Sequence, residues 1–254
     1  LLRDHLKDHP GDFDIFDDLI WKRMLPDNVA EASDADLDRA VGVTLELMKQ
    51  RPAYAGSYAT RFVRDSNDPQ RLSQSLSRLS TEQSSTNADL QVLRGLNAYR
   101  LDRLVEAAEA FEQALSIDPD STAARLQLVK LMLNRGKLEQ ARTLLEPLKP
   151  LNTPEIITLR ADLLTKSNRL DEAEAMLQRA IGESGGGTVS MAMMLAGVQL
   201  RQNDAPGAEQ TLLTALDRFP TEESLYTMLM GIYRPADGSP SQVDDADRQV
   251  ARLQ

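Results

Sequence analysis

Four alanines recur along the chain at Ala107, Ala141, Ala173 and Ala208, with spacings of 34, 32 and 35 residues. Four positions after each stands a large apolar residue: Phe111, Leu145, Leu177 and Leu212. Three further on come Ala114, Leu148, Ala180 and Ala215. Positions i, i+4 and i+7 fall on one stripe of an α-helix. The best copy, VEAAEAFEQALSIDP from Val105 to Pro119, therefore presents a small, a large and a small residue toward one neighbour. Asp118-Pro119 closes it, because proline disfavours helical geometry in the residue before it. Ahead of each such helix lies another apolar helical segment, beginning at Leu90, Ala124, Glu155 and Ser190. Short polar turns such as Asn134-Arg135-Gly136 and Ser167-Asn168 join the two. A helix pair of this length cannot hide both of its faces by itself. It must stack on copies of itself, and that requirement restricts the chain to a repeat array.

The period, the small residue at the start of the second helix, the bulky residue four later and the Asp118-Pro119 stop resemble the tetratricopeptide repeat family. Phe219-Pro220 repeats the proline in the last clear copy. In the first helices Gly95 is the surviving trace of the family's small residue, with Ala161 and Ala196 at the matching places, while the family's Trp and Gly-Tyr features are mostly absent. The resemblance implies an all-α fold, a right-handed superhelical solenoid of antiparallel helix pairs. Four well-matched repeats are expected over residues 88–221. Residues 1–87 read as degenerate copies. LDRAVGVTLELMKQRP offers Ala40, Thr44, Leu47 and Pro52 at nearly the same spacing, and 55–65 with 69–82 supplies the intervening unit, capped by Asp68-Pro69. Residues 222–254 read as a degenerate or truncated last repeat with an insertion at 235–241 and a cap at Ser241 and Asp244. The chain starts with Leu1 inside a helix, so a piece of a longer protein is expected, with an uncapped apolar end open to self-association.

The stacking reading accounts for an odd composition. Hydrophobic residues make up 41% of the 254, yet aromatics are 4% with a single Trp. Alanine and leucine must then do the packing. A net charge of −10 argues against a nucleic-acid partner, which needs basic stripes. The absence of cysteine removes disulfides, thiol catalysis and cysteine zinc sites. It leaves the compartment open between cytoplasm and periplasm. No apolar run reaches transmembrane length.

Candidate chemistry is sparse. His5 and His9 stand at i, i+4, a spacing that can hold zinc on a helix, but no further ligand follows and Pro10 ends the segment, so a surface pair is preferred. Asp34, Asp36 and Asp38 alternate like the start of a calcium loop. Arg39 and Leu45 occupy the places where that loop needs Gly and Glu, and carboxylates at a helix N-terminus explain the run better. Gly185-Gly186-Gly187 has neither the Lys-Ser/Thr nor the strand of a phosphate cradle. The Ser-rich stretch 73–86 reads as a weak helix running into a loop rather than a modification site. No catalytic residues, metal or cofactor are expected.

What the family resemblance implies is a protein or peptide partner on the concave face, lined by first helices. Carried onto this chain at i, i+3, i+7 and i+10, that face holds Asp89, Val92, Leu96 and Tyr99, then Leu126, Lys130 and Leu133, then Glu155, Thr158, Asp162 and Thr165, and then Met193. Val92, Leu96, Tyr99, Leu126 and Leu133 would form an apolar patch. Against this, the first helices are apolar nearly all round, so some of these leucines would pack inside their own hairpins. One subclass of the family clamps a chaperone's terminal carboxylate. Its positions fall here on Val92, Leu96, Gln127, Glu155 and Arg160, of which Arg160 alone agrees in type, and no such binding is expected. The leading reading is a non-enzymatic scaffold. The alternative is the repeat arm of a larger enzyme, a glycosyltransferase or peptidase, or of a cell-envelope assembly or secretion protein.

Overall fold

The computed structural model describes residues 2–25, 32–66, 68–82 and 87–233. The expected insertion at 235–241 and the cap at Ser241 lie outside the described residues, as do residues 83–86 of the Ser-rich stretch. Among the described residues there are fourteen α-helices and no strand. They are α1 (Leu2–Asp8), α2 (Phe13–Asp17), α3 (Asp34–Gln50), α4 (Ala55–Asp65), α5 (Pro69–Glu82), α6 (Ala88–Arg100), α7 (Leu104–Ile117), α8 (Thr122–Asn134), α9 (Leu138–Leu145), α10 (Pro154–Lys166), α11 (Leu170–Glu183), α12 (Val189–Arg201), α13 (Ala205–Leu216) and α14 (Glu223–Tyr233). A π-helix, Asp18–Met24, continues α2. The chain divides into one compact unit up to Asn134 and another from Arg135.

The repeats obey one local rule. In every clear copy a residue in the left-handed region sits five places before the seam alanine: Asp102 at φ 58°, Gly136 at 69°, Asn168 at 60° and Asn203 at 64°. Asn, Asp and Gly are the residues that occupy this region with least cost. In three of the four the next amide then reaches back over the helix end, from Arg103 to the Ala98 carbonyl at 2.9 Å, Arg169 to Leu164 at 2.9 Å and Asp204 to Gln199 at 2.8 Å. These bonds satisfy carbonyls that a helix end would otherwise orphan. The seam alanines lie five residues past these turns. Ala107, Ala141, Ala173 and Ala208 are all 0% exposed, and Phe111, Leu145, Leu177 and Leu212 are buried beside them.

The first unit shows how close the approach is. Helices α6 and α7 form its most extensive contact. A Cβ placed on Gly95 would overlap the Phe111 ring, so the missing side chain on α6 is the hole that Phe111 fills. Asp118 takes an extended conformation and stops α7 at Ile117. Helices α4 and α5 both pack on α6, and α3 packs on α4 and α5, with Ala40, Thr44 and Leu47 buried. Asp68 caps α5 by accepting from the Arg71 amide at 2.9 Å. In the second unit α10 packs with α11, α11 with α12, α12 with α13, and α13 with α14.

Two local departures have plain causes. Helix α9 gives way to a 3-10 turn at Glu146–Leu148 because Pro147 has no amide to donate; Leu148 nevertheless stays buried on the seam. The π-helix carries Trp21 against Phe62, ring centroids 5.4 Å apart, and nothing in the sequence pattern announced it.

Candidate partner-binding surface

Within each unit the first helices of successive pairs are neighbours: α6 lies against α8, and α10 against α12. On the α6–α8 face, Tyr99 is 44% exposed, a large ring in water at the end of α6. Its hydroxyl accepts from the Asn134 side-chain amide at 3.2 Å, which ties the last turn of α8 to α6. Leu96 is half-buried one turn earlier, and Lys130 is half-buried on α8. Val92, Leu126 and Leu133 are buried. They belong to the packing under the face, which follows from first helices that are apolar nearly all round. Asp89 sits half-buried in the first turn of α6. Burial and, less, the Asp118 carboxylate push its pKa up to about 6.

The second unit is polar where the first is apolar. Glu155 is exposed at the start of α10. Thr158 donates to the Glu155 carbonyl at 2.9 Å, and Thr165 is buried with its hydroxyl on the Ala161 carbonyl at 2.7 Å. Asp162 pairs with Lys166 at 2.8 Å. Met193, half-buried, packs against the apolar cluster of α12, α13 and α14. Arg160 donates to the Leu148 carbonyl at 2.6 Å and holds the chain entering α10.

The other sequence candidates resolve into structural roles. His5 bonds Asp12 at 3.0 Å and stacks on His9 with centroids 4.5 Å apart. Ser33 and Asp36 form a capping box at the start of α3, while Asp34 faces Arg71 and Arg78 and Asp38 faces Arg78 and Ser75. The three carboxylates do not converge. The loop at Gly185-Gly186-Gly187, all at positive φ, lies under the Arg218 guanidinium, which stands where a Cβ on Gly186 would be. Among the described residues no group of His, Asp and Glu is placed to hold a metal ion, and no helix is long and apolar enough to cross a membrane. Sequence reasoning missed Asn134 and two buried polar residues of α6, Gln91 and Asn97. Nothing in their spacing marked them, since α6 also carries Asp89, Arg94 and Arg100, and Asn134 ends α8.

Comparison with known proteins agrees with this architecture. Two sequence profiles described as tetratricopeptide repeat match residues 98–163 and 158–223. Residues 98–223 thus carry tetratricopeptide repeats, as the sequence resemblance implied. Among solved structures, a thermophilic protein of this family from Thermus thermophilus superposes with a TM-score of 0.57 at 18% identity, covering 72% of this chain and 97% of that one. A tetratricopeptide repeat protein from Parabacteroides merdae gives 0.57 at 16% identity, covering 91% and 89%. The human IFIT1 dimer with PPP-AAAA gives 0.55 at 15% identity, covering 88% of this chain and 56% of that one. At such identities the likeness concerns the fold alone. No curated protein matches the sequence significantly.

Proposed function

We propose that this protein is a non-enzymatic scaffold whose first-helix faces bind a segment of a partner protein, with the α6–α8 face as the anchor. Repeats of this family mediate protein–protein contact, and the observation that carries the reading to a place is Tyr99. An exposed aromatic ring, fixed by Asn134 beside half-buried Leu96, offers a rigid anchor at low entropic cost. Lys130 on α8 and Asp89, about 15 Å of helix away in the first turn of α6, bring opposite charges to the two helices. Asp89 is the more informative of the two. A carboxylate half out of water with its pKa near 6 is relieved by a cation brought to it, so a Lys or Arg of the partner would bind better once Asp89 is ionised. The α10 face of the second unit, with Glu155, Thr158 and Asp162, would make polar contacts of its own.

The test is affinity capture from native lysate with the intact chain, repeated with Tyr99→Ala and with Asp89→Asn. Tyr99→Ala removes an exposed side chain and one hydrogen bond to Asn134, and an unchanged circular dichroism spectrum checks that the variant is folded. Partners retained by the intact chain and lost by Tyr99→Ala support the reading. The same partners retained undiminished by both variants contradict it.

A further inference from the structure

The opposite side of α6 carries a second feature. A cleft of about 180 Å³ opens between α5, α6 and α7, walled by Ser73 and Ser77, by Arg94 and Asn97, and by Arg103 and Glu106. Positions 94 and 97 lie roughly half a helical turn away from 92, 96 and 99, so this cleft is separate from the surface around Tyr99. Asn97 is 2% exposed. Its side-chain amide donates to the Pro69 carbonyl at 2.9 Å, and its Oδ1 has no partner. A buried acceptor without a donor is costly; the atom is closed to solvent, and a ligand N–H recovers the loss once the wall of the cleft shifts to admit it. Three residues before it, half-buried Arg94 donates to Gln91 Oε1 at 3.0 Å and forms no ion pair among the described residues. Arg103 is held loosely, 3.6 Å from Glu106 and 3.2 Å from Gln70. Arg78, already paired with Asp34 and Asp38, borders the shallower depression that continues past Ser73 and Ser77. The chain as a whole is at −10, yet along this cleft Arg94 and Arg103 outnumber Glu106.

We propose that the cleft is a second recognition site, which takes one acidic residue of a partner polypeptide: its carboxylate on Arg94 and Arg103, its backbone N–H on Asn97 Oδ1. The volume fits this occupant. Pockets for whole small molecules run to roughly 300–1,000 Å³, and this one holds about a side chain. Guanidinium and carboxylate match in geometry and charge. The carboxylate is that of an Asp or Glu side chain or of a chain terminus, and the two sources are separable by experiment.

Fluorescence anisotropy on the full chain uses three labelled peptides: an Asp/Glu-rich one with an amidated end, a Gly/Ser one with a free terminal carboxylate, and the amidated Gly/Ser control. Binding of the first alone identifies side-chain carboxylates, and binding of the second identifies the terminus. Either supports the proposal when Arg94→Gln and Ser77→Glu each weaken it about tenfold or more while Tyr99→Ala leaves it unchanged. Ser77→Glu acts by placing the chain's own carboxylate in the cleft. In the unaltered protein, the Asn97 side-chain amide resonance should shift on adding the bound peptide, a readout that needs no variant. No binding above the control at about 1 mM peptide, the weak end of specific affinity, overturns the proposal. So does binding that Tyr99→Ala abolishes, or binding that leaves the Asn97 resonance in place.

Discussion

The helices before Ser66 and the helices after Asn87 solve the same packing problem with different materials. Before Ser66 the rings of Phe13, Phe16, Trp21, Tyr54, Tyr58 and Phe62 gather together. Phe16 and Tyr58 lie 4.9 Å apart, Trp21 and Phe62 5.4 Å, Phe13 and Tyr58 6.0 Å. One-off polar links fasten this core. Tyr58 donates to the Pro10 carbonyl at 2.7 Å, and Arg61 pairs with Asp17. After Asn87 the seams are mostly alanines, with Phe111 the one fully buried ring among the described residues there, and the turn inside each of the four clear repeats carries a left-handed residue. Large rings fill irregular space and lose most when cut back. Alanine seams leave no space and lose most when enlarged. The contrast explains why the second region repeats visibly in sequence while the first does not: a turn and a small residue can be copied, whereas a ring cluster is specific to its surroundings.

That difference predicts opposite responses to mutation. Phe62→Ala should be the most damaging substitution, costing about 3–5 kcal/mol by loss of a buried ring and its stack on Trp21; urea denaturation measures it, and a loss below about 1 kcal/mol would deny the aromatic core its role. Ala114→Leu should cost about 1–3 kcal/mol by overpacking a position with no exposed surface. An unchanged denaturation midpoint would show that the seam is slack. Asn168→Ala should cost about 1 kcal/mol because alanine resists φ near 60°, while Asn168→Gly should be neutral or mildly stabilising. Equal effects of the two would separate the turn from the array's stability.

The smallest effect is expected from Asp89→Asn, and it is a pH effect. With its folded pKa near 6, above the ordinary carboxylate value, Asp89 binds more protons folded than unfolded between about pH 4 and 6. Its contribution to stability therefore declines as pH rises through that window and is an ionisation penalty above it. The Asn variant should melt slightly higher at pH 7 and show a flatter melting temperature from pH 4 to 6. A parent profile already flat there would place the Asp89 carboxylate in water.

Much of the fold was legible because its signals are local. Ala107, Phe111 and Ala114 announce a seam, Asp118-Pro119 an end, and Asp68-Pro69 a beginning. The recurrent left-handed residue was equally local, but its four tokens are Asp102, Gly136, Asn168 and Asn203, and no single letter marks it. The candidate surface was legible only by position. Spacing placed Val92, Leu126 and Leu133 on the same stripe as Leu96 and Tyr99, yet helices apolar on all sides bury some members of every stripe. Which ones is decided by neighbours that the pattern does not encode. The orphaned Asn97 Oδ1 is a still more distant property, since it depends on where the start of α5 places the Pro69 carbonyl.

In the α6–α7 pair a large side chain, Phe111, fills the hole left by the missing side chain of Gly95. The double-mutant cycle of Gly95→Ala and Phe111→Leu, followed by urea denaturation, tests it most directly. Each single change should destabilise. The pair together should lose less than the sum by at least about 1 kcal/mol, because the smaller Leu makes room for the new methyl group. Strict additivity would mean that α6 and α7 do not meet at this point, and would contradict the account.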